Sequence, residues 1–423
     1  MDRAARRQLQ QRLHAHFRSH FQASREDDIL GTVRPGNGTE LLDVISIASE
    51  NGCALVPRGA GTSPFAGAVP LQGLIIDFDR LDRILAVDEQ QRLATVQPGV
   101  IWQVLIEHLA TFGLMPCVYP SSQAISTVGG FVAQGGVGIG SFQYGAIDRT
   151  VQSIRLLTLG GESLTLAAEA LDLAVGVEGR TGLIAEITLR AQPAARMIPV
   201  VGLFDRVTAL EACLSEIARR ELPAWSVSFM DPAASAASGG SPRGLALSLP
   251  LGRYAALLSF READRRPLLP EIRSAVLVAG GELSKVSGSN DDWMSRFMSL
   301  QQAGTTPIPL QFKLPVDRLA ELVRQLSPKV RAQLAFQGAL SNGGSGLAVR
   351  FFYRAAPRFV DENMELAHLL LEAVKYLGGE VYATGAYFLS EAEAVYGAER
   401  LIRLRAFLAM TDPRGCMNPD KAF

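Results

Sequence analysis

The spacing of apolar positions changes several times along the chain, and each change predicts an element. Leu9, Leu13, Phe17 and Phe21 recur at four-residue steps, the mark of an amphipathic helix. Thr39–Asn51 repeats that period, with Leu41, Leu42, Ile45 and Ala48 on one face. Short apolar runs at Cys53–Pro57, Gly73–Phe78 and Leu93–Val96 read as strands, and Trp102–Phe112 as a helix closed by Gly113. Ile154–Leu159 and Ser163–Leu166 flank Gly160-Gly161 and predict a hairpin, and Leu183–Leu189 is a further strand.

After Pro193 the pattern loosens. Helices are predicted at Leu203–Arg219, Val316–Leu326 and Val360–Leu377, and one more precedes the tail. Strands are predicted at Ser226–Met230, Leu245–Leu249, Tyr254–Phe260, Ile308–Leu314, Ala332–Leu340 and Leu347–Tyr353. The Ala/Ser/Gly stretch from Ala233 to Gly244 reads as a flexible loop. The order of elements gives an α+β protein, an N-terminal α+β unit followed by an antiparallel sheet with flanking helices.

Composition narrows the function. A net charge of -1 over 423 residues argues against nucleic acid as a partner. Cys53, Cys117, Cys213 and Cys416 show no C-x-x-C spacing, so no metal site, iron–sulfur cluster or disulfide framework is expected. No apolar run reaches the roughly 20 residues of a spanning helix, and without a secretory signal the default location is cytoplasmic. Between Arg3 and Arg25 lie six arginines and no acid. That stretch reads either as a helix docked by its apolar stripe or as a transit or peripheral membrane-surface segment.

Two glycine-rich stretches carry the candidate chemistry. In Pro57-Arg58-Gly59-Ala60-Gly61-Thr62-Ser63, small residues let backbone N–H groups converge into an anion-binding nest. Read alone, a purely structural turn explains it as well. Pro64 stands where a dinucleotide fingerprint has its third glycine, and no Gly-Lys-Ser/Thr of a phosphate-binding P-loop occurs. The second stretch runs from Pro120-Ser121-Ser122 through Thr127-Val128-Gly129-Gly130, Gln134-Gly135-Gly136 and Gly138 to Ser141, Tyr144 and Gly145. So many glycines and hydroxyls suggest close backbone approach to a long, phosphate-bearing ligand, the alternative being a knot of tight turns.

In this order the segments resemble the PCMH-type FAD-binding domain of the vanillyl-alcohol oxidase family. The resemblance adds Arg34-Pro35-x-x-x-x-Glu40-Leu41, Gln97-Pro98-Gly99-Val100 and Gly179-x-x-Gly182-Leu183-Ile184-x-Glu186. It also takes in the tail Asp412-Pro413-x-Gly415-x-x-Asn418-Pro419-x-Lys421. The nearest branch is that of the glycolate oxidase D subunit and the D-lactate dehydrogenases. After the N-terminal basic helix over 1–30, read from its charge and spacing, the resemblance implies a two-subdomain FAD-binding domain over 31–195, a cap over 196–395, and a segment over 396–423 returning to the FAD domain. It implies FAD contacts from Pro57 through Ser63, from Pro120, Ser121, Thr127, Gly129, Gly130, Ser141, Tyr144, Gly145 and Ile184, and from Asn418. Thr62 stands where some members bear a flavin-linked histidine, so noncovalent FAD is expected.

The cap departs from that branch. Its histidine motifs, which supply metal ligands and a base, correspond here to Phe336-Gln337-Gly338-Ala339-Leu340-Ser341-Asn342-Gly343 and Tyr382-Ala383-Thr384-Gly385-Ala386-Tyr387. Neither contains histidine. Substitutes are few: Tyr387 as a base of lowered pKa, and Lys313 or Arg350 as a carboxylate partner, each against an ordinary packing or surface role. His368 reads as a helix-surface histidine. The expected activity is oxidation of a small hydroxylated or carboxylated substrate by FAD. The alternative is an accessory subunit relaying electrons to an iron–sulfur or other acceptor protein.

Overall fold

The structure is a computed structural model and describes residues 3–26, 28–239, 252–284, 306–354, 360–419 and 421–423. Arg3–Phe17 is a helix whose Leu9, Leu13 and Phe17 are buried against the first sheet. Its Arg6 guanidinium ties to the carbonyls of Ser24 and Ile29 at 3.2 and 2.7 Å. The apolar stripe thus packs into the fold. No helix among the described residues is long and apolar enough to cross a membrane.

Three sheets follow among the described residues. The first orders Phe21–Ala23, Ile29–Val33, Gly73–Asp77 and Leu55–Arg58, with the last three parallel. Its crossover helix, Gly38–Glu50, is capped by Asn37, whose side chain accepts from Glu40 N–H. The second sheet is antiparallel and built on the long strand Leu183–Pro193, which pairs with Leu93–Val96 on one side and Val151–Leu157 on the other. The third is antiparallel, with eight strands among the described residues. Its central strands in order are Met197–Phe204, Tyr254–Arg261, Ser226–Met230, Leu334–Ser341, Gly346–Tyr353 and Thr306–Leu314. Helices Val207–Arg219, Arg265–Val278 and Val360–Tyr376 pack their apolar residues on it.

The chain then returns. After the helix Ala398–Thr411, Leu55 N–H donates to Cys416 O at 2.8 Å and Asn418 N–H to Leu55 O at 2.7 Å, adding the tail to the first sheet.

Several local expectations are corrected. Leu42 faces solvent, and the helix buries Val44 and Ile47 instead, because its apolar stripe follows the sheet. Leu203 and Phe204 end a strand, and the helix starts only at Val207. The stretch from Ala233 opens a helix, Pro232–Gly239, fixed at its start by Asp231 Oδ1, which accepts Ala234 N–H at 2.8 Å. The remainder of that expected loop and the strand at Leu245–Leu249 lie outside the described residues. The helix Arg265–Val278 carries Pro270 inside it, and that proline hides its period from sequence reading.

Candidate functional site

The strand Leu55–Arg58 ends at the first glycine-rich loop, and the second loop folds directly onto it. A Cβ on Gly59 would sit 2.3 Å from Thr127 Oγ1. That hydroxyl caps the short helix Val128–Ala133 by accepting Gly130 N–H at 3.2 Å. Thr62 Oγ1 meets Ser126 Oγ at 3.1 Å, and Ser63 Oγ accepts from Gln134 Nε2 at 2.8 Å. Gly61 holds φ +63, and a Cβ there would meet Arg58 Cδ at 4.0 Å, an ordinary contact. The Arg58 guanidinium turns away to Asp77 at 2.8 Å. The loop thus offers backbone N–H groups and hydroxyls rather than a fixed charge.

Between these loops and the third sheet lies a cleft of about 1540 Å³, part of it continuous with solvent. All of Pro57–Ser63 lines it, as do Pro120, Ser121, Thr127, Gly129, Gly130 and Ile184. Ser141, Tyr144, Gly145 and Asn418 do not; of these, Ser141 and Asn418 hydrogen-bond residues of the lining from behind it. Ser141 Oγ accepts Gly138 N–H at 2.9 Å, and Tyr144 donates to Gln192 Oε1 at 2.9 Å. Gly145 makes room for Asn342, whose Oδ1 would lie 2.6 Å from a Cβ. Asn418 is fully buried, and its Nδ2 donates to Gly67 O at 3.1 Å and Glu178 O at 2.7 Å. The tail thus reaches the cleft wall from outside, not its ligand face.

The opposite wall comes from the third sheet. Strand register places Gln337, Arg350 and Gln311 side by side on three neighbouring strands, and all three line the cleft. Arg350 donates to Gln311 Oε1. Burial lowers its guanidinium to about 10, so it remains a cation at neutral pH. Tyr382 joins them, donating to Gly135 O at 3.1 Å and accepting Val137 N–H; burial pushes its phenol pKa up.

Of the catalytic candidates, Arg350 alone lines the cleft. Lys313 pairs with Glu380 at 2.9 Å near the sheet edge, and its side chain is 44% exposed. Tyr387 is 41% exposed and lies outside the lining, because the turn after Thr384 swings its ring to solvent while Tyr382 points in. His368 is exposed on its helix, its ring edge against Phe388. No histidine is among the residues that line the cleft. Sequence reasoning missed Tyr382, Gln311 and Glu178, and met Gln337 only as a missing histidine. Glu178 immediately precedes Gly179 of a segment already singled out, and a carboxylate there was the available signal.

Comparison with known proteins agrees with this geometry. Residues 29–167 match the family model described as FAD binding domain. The chain is 24% identical to the glycolate oxidase subunit GlcD of Bacillus subtilis, over 92% of this chain and 88% of that protein. It is also 24% identical to the D-lactate dehydrogenase of Archaeoglobus fulgidus, over 92% and 90%. A solved alkyldihydroxyacetonephosphate synthase shares the fold with a TM-score of 0.78, over 97% of this chain and 84% of that one, at 15% identity. The loop-and-cleft architecture and these matches together show that residues 29–167 form an FAD-binding domain, in a chain similar over most of its length to FAD-linked oxidoreductases, and identify it as an FAD-dependent oxidoreductase.

Proposed function

We propose that this protein oxidises a small hydroxylated carboxylate, with FAD held noncovalently along the cleft and the substrate seated under the Gln337–Arg350–Gln311 row. The observation that carries this reading is the pairing of two unlike walls: neutral backbone donors on one, a buried guanidinium flanked by amides on the other. The residues present fit the cofactor. Gly59, Ala60 and Gly61 border the cleft with backbone, and Thr62, Ser63, Ser121 and Ser122 line it with neutral hydroxyls for a diphosphate.

When bound, FAD supplies the two-electron acceptor for the substrate's hydride, and the hydroxyl's proton leaves to water in the part of the cleft that is continuous with solvent, since no histidine lines it. The protein's own groups do the positioning. Arg350 places a cation in the wall for a substrate carboxylate, and Gln311 steers the guanidinium by accepting one of its N–H bonds. Gln337 presents an amide beside it; its Oε1 has no hydrogen-bond partner among the described residues and is available to a substrate hydroxyl. Tyr382 has both hydrogen-bonding roles filled by Gly135 and Val137, so it stiffens the wall rather than moving a proton. The lining provides no histidine or cysteine for a flavin linkage, which supports noncovalent binding.

No group of His, Cys, Asp or Glu among the described residues is arranged to hold a metal. We infer that electrons leave to an external acceptor, an iron–sulfur or other electron-carrier protein, in keeping with the naming of the Bacillus relative as a subunit. The test is anaerobic addition of D-lactate, glycolate and a panel of polyols to the yellow protein. Loss of the oxidised-flavin absorption with a hydroxy acid, weakened in Arg350→Gln, is the expected result. A flavin that no carboxylate reduces would overturn the assignment in favour of an accessory, electron-relaying subunit.

A further inference from the structure

Three segments converge on one buried carboxyl, Glu178. It lines the cleft beside Gly67 and Gly179 and is 8% exposed. Its φ is +53, a left-handed conformation that few residues other than glycine adopt. Such strain persists only where the surroundings enforce it. Oε1 accepts Gly385 N–H at 2.9 Å. Oε2 has no hydrogen-bond partner among the described residues and faces Gly67, where a Cβ would come within 2.3 Å of it.

The groups around it are few. Lys421 faces it from the tail and Tyr396 from the helix Ala392–Tyr396. Arg180, on its own turn, is committed to Asp412 at 3.1 Å and to Met417 O at 2.7 Å. The segments of Gly67, Ala133 and Gly385 meet it through backbone, with Ala133 O accepting Glu178 N–H at 2.8 Å. Burial holds the carboxyl up at about 7, against the opposing pull of Gly385 N–H and Lys421. An FAD molecule entering this cleft displaces water from beside the carboxyl and brings an anionic diphosphate into the same low-dielectric space. Both changes disfavour the carboxylate form.

We propose that Glu178 takes up a proton as FAD fills the cleft, so that cofactor retention is linked to pH. The inference rests on FAD occupying this cleft. Thermodynamic linkage sets the sign: below the free-state pKa the acid is already neutral and affinity is flat, and above it each pH unit costs about tenfold until the bound-state pKa is reached.

The experiment uses the full chain stripped of cofactor. FAD is titrated by flavin fluorescence from about pH 6 to 9, with calorimetry in two buffers of different ionisation heat to count protons. Affinity is expected to be flat below about pH 7 and to fall about tenfold per unit above it, with uptake of up to one proton. Glu178→Gln should bind with no pH slope and no uptake. Lys421→Met removes a charge that favours the carboxylate, so the onset of the fall should move to higher pH. If Glu178→Gln does not fold, proton uptake by the unmodified chain and the Lys421→Met shift decide the matter. Flat affinity without uptake, an unchanged slope in Glu178→Gln, or an unmoved onset in Lys421→Met overturns the inference alone. A chain that binds no FAD at any pH overturns the FAD reading beneath it.

Discussion

Replacing Gly59 by alanine probes the joint between the two glycine-rich loops. The new methyl would sit 2.3 Å from Thr127 Oγ1, far inside the ~3.5 Å of ordinary contact between non-bonded heavy atoms. Thr127 can retreat only by giving up its cap on Gly130 N–H. Loss of such a cap costs about 1 kcal/mol. Overpacking the tight junction costs about 1–3 kcal/mol more. The joint exists with or without cofactor, so the penalty divides between a lower Tm and weaker binding. If all of it fell on binding, about 2–4 kcal/mol would weaken FAD affinity roughly 30- to 1,000-fold. Calorimetric Tm of the cofactor-free chain and fluorescence titration of FAD measure the two shares. The double variant Gly59→Ala/Thr127→Ala removes the obstructing hydroxyl, leaving contacts of 3.4 Å and beyond. It should recover all but the cap, a non-additive pair. A Gly59→Ala protein with unchanged Tm and affinity, or a double variant as poor as the sum of the singles, would refute this reasoning.

Three further outcomes rest on the same packing. Asn418→Ala removes the buried donors to Gly67 O and Glu178 O; a loss of about 1–3 kcal/mol in unfolding free energy is expected by denaturant titration. Burial raises Asp231 from 3.8 to about 7, so its contribution to stability is full below about pH 4 and is lost as pH rises through 7. Asp231→Asn keeps the Oδ1 that accepts Ala234 and Phe336 N–H, and should flatten the Tm–pH curve across that window, with a gain on the order of 1.4 kcal/mol per pKa unit relieved. Tyr387→Phe should leave substrate-driven flavin reduction unchanged, whereas Arg350→Gln should raise KM about 10- to 100-fold, the loss of a charged hydrogen bond.

The two loops were legible because their chemistry is local: glycines at Gly59 and Gly61 and hydroxyls at Thr62 and Ser63 announce a backbone nest whatever surrounds them. The far wall was not, because it depends on register. Gln337, Arg350 and Gln311 lie far apart in sequence and meet only when three antiparallel strands align. Lys313 lies two residues from Gln311, yet its pairing with Glu380 carries it out toward the edge strand. Tyr382 and Tyr387 were indistinguishable by proximity to a missing histidine; the intervening turn decides which ring faces the cleft. Asn418 was linked to the site by the tail motif, and the structure gives that link a cause: it anchors the backbone of Gly67 and Glu178 from behind.

The central claim is that the cleft between the loops and the third sheet holds FAD without a covalent bond. Its most direct test is the visible spectrum of the purified full chain, followed by denaturation and filtration to separate protein from cofactor. The account predicts a yellow protein that releases intact FAD, close to one per chain, into the filtrate. A colourless chain that cannot be loaded with FAD, or a flavin that stays on the denatured polypeptide, would contradict it.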